Sequence, residues 1–204
     1  MPARKIGIRK ANEALILETA ERVFATSGFE GASIAKIARE AGLPKANIHY
    51  YFKTKSDLYR EVLRHILEDW MSAATTFSNH AEPEEALRTY IEAKMVYSRA
   101  RPYGSRVWAS EIMSGAPVME EFLGTILKQW VDKQARIMRR WIRDGKIKPI
   151  HPRALLYMIW ATTQHYADFE RQIVILNGGK EISKREYGQR TEQVVSMILS
   201  SVGL

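Results

Sequence analysis

The chain of 204 residues contains no cysteine, which excludes a disulfide framework, thiolate metal sites and a cysteine nucleophile. No run approaches the roughly 18 apolar residues that a membrane span requires. The opening MPARKIGIRK carries charge without the apolar stretch of a secretory signal. The five histidines are scattered, with no HExxH spacing, and neither GxSxG nor a phosphate loop occurs. No metal, no cofactor and no enzyme activity are therefore expected, and the cytoplasm is the expected compartment. Low-complexity segments and long linkers are missing as well.

What remains is globular in composition, 46% hydrophobic and 26% charged, with a net charge of +8. That charge is uneven. Residues 1–60 hold 11 Lys and Arg against 6 Asp and Glu, whereas residues 61–204 hold 20 against 17. The first quarter is the region suited to lie against phosphates.

Apolar residues recur with helical period along the whole chain, and no segment alternates with the period of a strand. About nine helices are expected and no sheet, an all-α fold. The first covers residues 12–27 and stops at Gly28. A second spans 33–41, with Ser33 as its cap and Gly42 closing it. Pro44 suits the start of a third, over 45–51, because its missing N–H costs nothing there. Thr54 caps a long helix over 55–77, and Asp57 sits favourably in its first turn. Pro83 opens a helix ending before Pro102. Shorter and longer helices follow at 103–114, 118–144, 152–177 and 185–202, with Gly115, Gly145 and Gly178-Gly179 as breaks.

The stretch GASIAKIAREAGLPKANIHYYFKTK, residues 31–55, reads as a helix-turn-helix whose second helix can enter the major groove. Lys45 can reach a phosphate or a guanine, Asn47 an adenine or a phosphate, and Ala46 a thymine methyl. His49 shares the outward face. Tyr50 or Tyr51 can donate its hydroxyl to a phosphate, while Ile48, Tyr51 and Phe52 suit the packing of the head itself. Ser33 and Thr54 flank the motif with hydroxyls, and Lys55 opens the long helix where its N–H groups also face phosphate.

Residues 12–58 resemble the DNA-binding domain of TetR-family regulators, through Gly28-Phe29, Ile37-Ala38, Ala41-Gly42, the Tyr50-Tyr51-Phe52 triplet, Lys55 and Leu58. The family often has Thr where Ala32 stands, so Ser33 supplies the hydroxyl one residue later. It often has Ser where Pro44 stands. The resemblance implies a homodimer with a C-terminal ligand domain, here divided as a basic arm and reading head at 1–54 and a ligand-binding and dimerisation domain at 55–204.

Two stretches of the second region are distinctive, YGSRVWASEIMSGAP at 103–117 and LLYMIWATTQHYADF at 155–169. Both resemble the RutR-like branch of the family, regulators of pyrimidine utilisation. Trp160 and Gln164 stand four apart on one helix face. Gln164 offers donors and an acceptor, which fits the N–H and C=O edge of uracil or thymine, and Trp160 can wall a flat ring. The resemblance gives both the role of pyrimidine contacts. Tyr157 and Asp168 continue that face. Arg106 and Glu111, charged within an otherwise apolar helix beside Trp108, are further candidates to line the pocket, or else form a pair that holds helices together. The apolar stripes Leu155, Ile159 and Val194, Met197, Ile198 lie on the two long terminal helices, which the family pairs with a second copy.

The reading is a homodimeric transcription regulator, a repressor on a near-palindromic operator, released by a small planar heterocycle such as uracil or thymine. Its rivals are the same reader with an unrelated effector, and a DNA-binding protein without one.

Overall fold

In the computed structural model, which describes residues 2–78 and 81–204, helices are the only regular elements. Met1, Asn79 and His80 lie outside the described residues. Ten helices are present, one more than the periodicity suggests: α1 (Pro2–Gly31), α2 (Ile34–Ala41), α3 (Lys45–Tyr51), α4 (Lys55–Ser78), α5 (Pro83–Ala100), α6 (Pro102–Met113), α7 (Glu120–Phe122, continuing through a π-turn at Leu123–Leu127 into Lys128–Arg143), α8 (Pro152–Asp168), α9 (Glu170–Leu176) and α10 (Lys184–Val202). No described helix is long and apolar enough to cross a membrane.

The extra helix comes from the stretch 152–177, which breaks between α8 and α9. Phe169 leaves helical geometry there at φ −113°, ψ 25°. The break carries neither proline nor glycine, so nothing in the local sequence marks it.

The chain forms two compact units. The first comprises Met1–Glu68 and Tyr103–Val118. α1 bends at Gly28, whose φ of 67° only glycine adopts at low cost. Ser33 caps α2 as expected, its Oγ accepting from the Lys36 backbone N–H at 3.2 Å. Lys36 reaches back from α2 to the Ser27 hydroxyl on α1, at 2.7 Å. Gly42, at φ 65°, ends α2, and Pro44 sets the entry to α3. Ile16, Phe24, Ile37, Ile48 and Leu58 fill the centre of this unit. Each contributes about 1.5–3 kcal/mol by leaving water.

The second unit comprises Asp69–Pro102 and Met119–Leu204. α5 packs against α8 and α10 around Leu87, Ile91, Met95, Met138, Leu156 and Val195. Tyr187 on α10 donates to the Met95 carbonyl on α5 at 2.9 Å. α10 begins with a capping box: Ser183 Oγ accepts from the Glu186 N–H at 3.2 Å, and the Ser183 N–H donates to the Glu186 carboxylate at 2.9 Å. That hydrogen bonding holds the Glu186 carboxyl below its ordinary range.

Candidate nucleic-acid interface and sensor core

α3 has seven residues and one fully buried side chain, Ile48, which anchors it to its unit. The helical period then turns positions 46 and 50 away from that anchor, with 49 on the flank, while position 45 opens the helix. Lys45, Ala46, His49 and Tyr50 are all exposed, and Asn47 is half-buried at the edge of the same face. Tyr50 keeps 70% of its surface exposed. His49 Nδ1 lies 3.2 Å from the Lys53 carbonyl. A carbonyl only accepts, so that nitrogen carries the hydrogen.

The tyrosines separate in role. Tyr50 faces outward, edge-on to Tyr51 at 5.1 Å. Tyr51 is half-buried and its hydroxyl donates to the Arg9 carbonyl at 3.2 Å, tying α3 to the start of α1. The Arg9 guanidinium in turn stands 5.8 Å from the Tyr50 ring centre. Arg9, exposed, thereby joins the α3 face, with Lys10 exposed beside it in sequence. Sequence reasoning had grouped them only as a basic arm, since spacing along the chain gives no hint of which turn of α1 meets α3.

The hydroxyls and Lys55 are partly engaged within the fold. Thr54 Oγ1 accepts from the Asp57 N–H at 3.0 Å, while the Thr54 N–H donates to the Asp57 carboxylate at 3.1 Å. The side-chain hydrogen bond with Thr54 leads in holding the Asp57 carboxyl below its ordinary range, and the Thr54 N–H adds to it. Ser33 acts in its cap as an acceptor, so its hydroxyl hydrogen remains able to meet a phosphate, whereas the Thr54 hydroxyl is shared with Asp57. The sequence reading aims Lys55 at a phosphate. In the structure its Nζ donates to the carbonyls of Phe29 at 2.7 Å and Ala32 at 3.2 Å, and lies 4.2 Å from the Phe29 ring centre. The ammonium closes the turn between α1 and α2, and one of its three N–H bonds is left for DNA. Ala32 is itself buried, with its carbonyl as one of those acceptors.

The residues selected for effector binding divide between the two units. Arg106, Trp108 and Glu111, on α6, belong to the first. Glu111 is only 2% exposed. Its carboxylate accepts from the Tyr59 hydroxyl at 3.1 Å and from the Val118 N–H at 2.6 Å, and burial raises the Tyr59 phenol pKa, with Glu111 adding to it. Trp108 is buried, and the Arg106 guanidinium covers the Tyr103 ring at 4.9 Å.

Tyr157, Trp160, Gln164 and Asp168, on α8, belong to the second unit. Trp160 Nε1 donates to the Tyr90 hydroxyl on α5 at 2.7 Å. The indole also stacks on Trp130, centroids 6.3 Å apart, with the half-exposed Tyr157 at 5.6 Å on another side. Burial pushes the Tyr90 phenol up. Gln164, one turn on, is half-buried, so water reaches it and the cost of an orphaned buried amide does not arise.

One residue here escaped the sequence reading. Lys94 on α5 is 4% exposed, and its Nζ lies 4.0 Å from the Trp70 ring centre. Burial drives its ammonium down to about 7, and the Asp168 carboxylate opposes that shift. A lysine inside a 3.6-residue pattern reads as solvated, so only the packing of α5 could reveal it. Further along, a cavity of about 180 Å³ opens among Ser98, Arg99, Tyr166, Glu170 and Tyr187; none of the selected α8 residues lines it.

The two apolar stripes are mostly internal. Leu155, Ile159, Val194 and Ile198 sit in the core of the second unit, because their register turns them toward α5. Met197 points outward at 62% exposure, and Tyr157 and Met158 do the same from α8.

Comparison with known proteins places this geometry. Residues 16–62 match the family described as bacterial regulatory proteins, tetR family, and residues 63–204 match the YcdC-like protein, C-terminal region. The chain belongs to the TetR family of transcription regulators. The HTH-type transcriptional regulator RutR of Escherichia coli (strain K12) is 36% identical over 192 residues, 94% of this chain and 91% of that protein. BetI of Paraburkholderia phymatum is 26% identical over 106 residues, 51% of this chain and 54% of that one. Among solved structures, a TetR family transcription regulator from Marinobacter aquaeolei VT8 superimposes with a TM-score of 0.73 at 21% identity, covering 99% and 98% of the two chains. FadR from Bacillus subtilis, in complex with stearoyl-CoA, gives 0.66 at 20%, covering 93% and 99%. As TetR-family regulators bind DNA and small-molecule effectors and form dimers, this TetR-family chain is a transcription regulator and not an enzyme.

Proposed function

We propose that the protein is a homodimeric, cytoplasmic repressor that binds a near-palindromic operator and is released by a pyrimidine such as uracil or thymine. The observation that carries this reading is the likeness to RutR over 94% of the chain, together with Trp160 and Gln164 on one face of α8 beside the aromatic cluster of Trp130, Tyr90 and Tyr157. Indole faces suit a flat ring, and a carboxamide matches its alternating N–H and C=O edge.

In this mechanism residues 1–54 read DNA. Lys45, Ala46, Asn47, His49 and Tyr50 meet the major groove, with Ser33, Thr54 and the remaining N–H of Lys55 on phosphates. Two heads engage half-sites about 34–36 Å apart, one turn of DNA. Residues 55–204 hold the effector and pair the two copies through the outward faces of α8 and α10, where Tyr157, Met158 and Met197 are exposed. The effector prefers a spacing of the heads that misses adjacent grooves. A switch from nearly full to nearly no occupancy requires that preference to reach roughly 5.5 kcal/mol.

The test starts with a thermal-shift screen of the purified protein against nucleobases, since a ligand that binds the folded state raises its apparent stability. Uracil or thymine is expected to raise the midpoint and to displace operator DNA selected from random duplexes. Gln164→Ala is expected to keep DNA binding and lose the displacement. A screen in which no pyrimidine shifts the midpoint removes the pyrimidine reading, and normal release of the variant by uracil removes Gln164 from the site.

A further inference from the structure

We propose that Lys94 is the specificity-determining cation of the effector site, donating a hydrogen bond to a ring carbonyl oxygen of the bound molecule. The proposal rests on the pyrimidine reading above and names the group that distinguishes one class of heterocycle from another.

The argument starts from α5. Its buried residues are Pro83, Ala86, Leu87, Tyr90, Ile91, Lys94, Met95 and Ser98; Lys94 is the one charged member of that face. Lysines near the end of a helix carry their ammonium out to water along a flexible stem. Lys94 lies well inside α5, and its ammonium ends over the face of Trp70, 4.0 Å from the ring centre. Burying an ammonium is costly unless a charge or a set of acceptors compensates for lost water. A ring face and the attraction of Asp168 supply part of that compensation. An ammonium has three N–H donors and no acceptor, so what it lacks is an oxygen.

The register of the two helices shows where such an oxygen would come from. Tyr90 on α5 holds Trp160 on α8 at 2.7 Å. One turn further along α5 is Lys94, and two turns along α8 is Asp168, its charge partner. Gln164 occupies the turn between Trp160 and Asp168, on the same face. Lys94 therefore belongs to the same level of the unit as the amide already assigned to the effector. Together they offer a group that, while protonated, only donates and one that both donates and accepts, near two indoles, Trp70 and Trp160.

That set selects an imide, a ring N–H flanked by carbonyls. The amide answers the N–H and one C=O, and the ammonium answers a C=O. A ring carrying an amino group where the carbonyl should be, as in cytosine, would set donor against donor. Stacking by itself tolerates any flat ring, so the discrimination falls to Lys94.

The experiment is a cycle between a protein atom and a ligand atom. Uracil, 2-thiouracil, 4-thiouracil and cytosine are titrated calorimetrically into the wild type and into Lys94→Met, which keeps the stem and removes the donor. Sulfur is a poorer acceptor than oxygen, so one of the two thio compounds is expected to bind the wild type about tenfold more weakly than uracil does, and Lys94→Met to bind both alike. The variant is also expected to lose at least tenfold in uracil affinity and to narrow the gap to cytosine. Lys94→Gln restores a neutral donor and is expected to recover part of the preference for oxygen; it carries the cycle if Lys94→Met does not melt cooperatively. Equal sulfur penalties in wild type and variants overturn the proposal even if affinity falls, because a loss of packing is blind to the ligand's oxygen. A wild type that binds no pyrimidine removes the pyrimidine reading and this inference with it; a wild type that binds uracil, with variants that match it, removes the inference alone.

Discussion

Tyr50 and Tyr51 are neighbours of one type with opposite fates, and the difference is set by Ile48. Once that side chain is buried, the helical period sends Tyr50 outward and brings Tyr51 to the Arg9 carbonyl. Lys45→Ala and Tyr50→Ala are each expected to weaken operator binding by about 1–3 kcal/mol, measured by anisotropy, with the mass in sedimentation unchanged. Tyr51→Phe is expected to act on stability instead, by about 1 kcal/mol for one lost hydrogen bond. Lys94 carries a prediction in pH. Its folded-state pKa is about 7, below the ordinary 10.5. Below the lower value both folded and unfolded chains hold the proton; between the two only the unfolded chain does. Unfolding then takes up a proton, so stability rises with pH across that window, by up to about 1.4 kcal/mol per unit. Denaturant unfolding from pH 7 to 9 is expected to show this rise in the wild type and a flatter profile in Lys94→Met. The outward residues of α3 were legible from sequence because motif and period agree. Lys94 was not, because its burial depends on what lies across from α5.

At the scale of elements, the boundaries that came out as expected are those with a local chemical cause. Ser33, Gly42, Pro44, Thr54 and Pro83 each fix a terminus through a hydroxyl, a left-handed backbone or a missing N–H. Ser33→Ala is expected to cost about 1 kcal/mol through the lost cap. Gly42→Ala should cost about 1–2 kcal/mol, because a side chain at φ 65° is strained. Both would be read from the denaturant midpoint. The break at Phe169 and the π-turn at Leu123–Leu127 have no such marker, and both went unread. The apolar stripes of α8 and α10 were read as faces for a second copy, but periodicity does not say against what an apolar stripe packs. Leu155, Ile159, Val194 and Ile198 face their own unit, and the large apolar residues that these two helices leave exposed are Tyr157, Met158 and Met197. Val194→Ala is accordingly expected to lower stability by about 1–3 kcal/mol. Met197→Glu is expected to leave folding intact and shift sedimentation from dimer to monomer.

For the molecule as a whole, the excess of positive charge in residues 1–60 predicts operator affinity that falls steeply with salt, since each neutralised phosphate releases counterions. A plot of log affinity against log salt for Lys45→Ala should be shallower than wild type by about one contact. The absence of cysteine, together with the exposure of Ala46 at the outer face of α3, provides a built-in ruler. Ala46→Cys introduces a single thiol per chain, against a background with no other sulfhydryl to label. A nitroxide attached there would put one spin on each reading head of a dimer, and pulsed dipolar spectroscopy would return the separation of the two heads directly, before and after an effector is added.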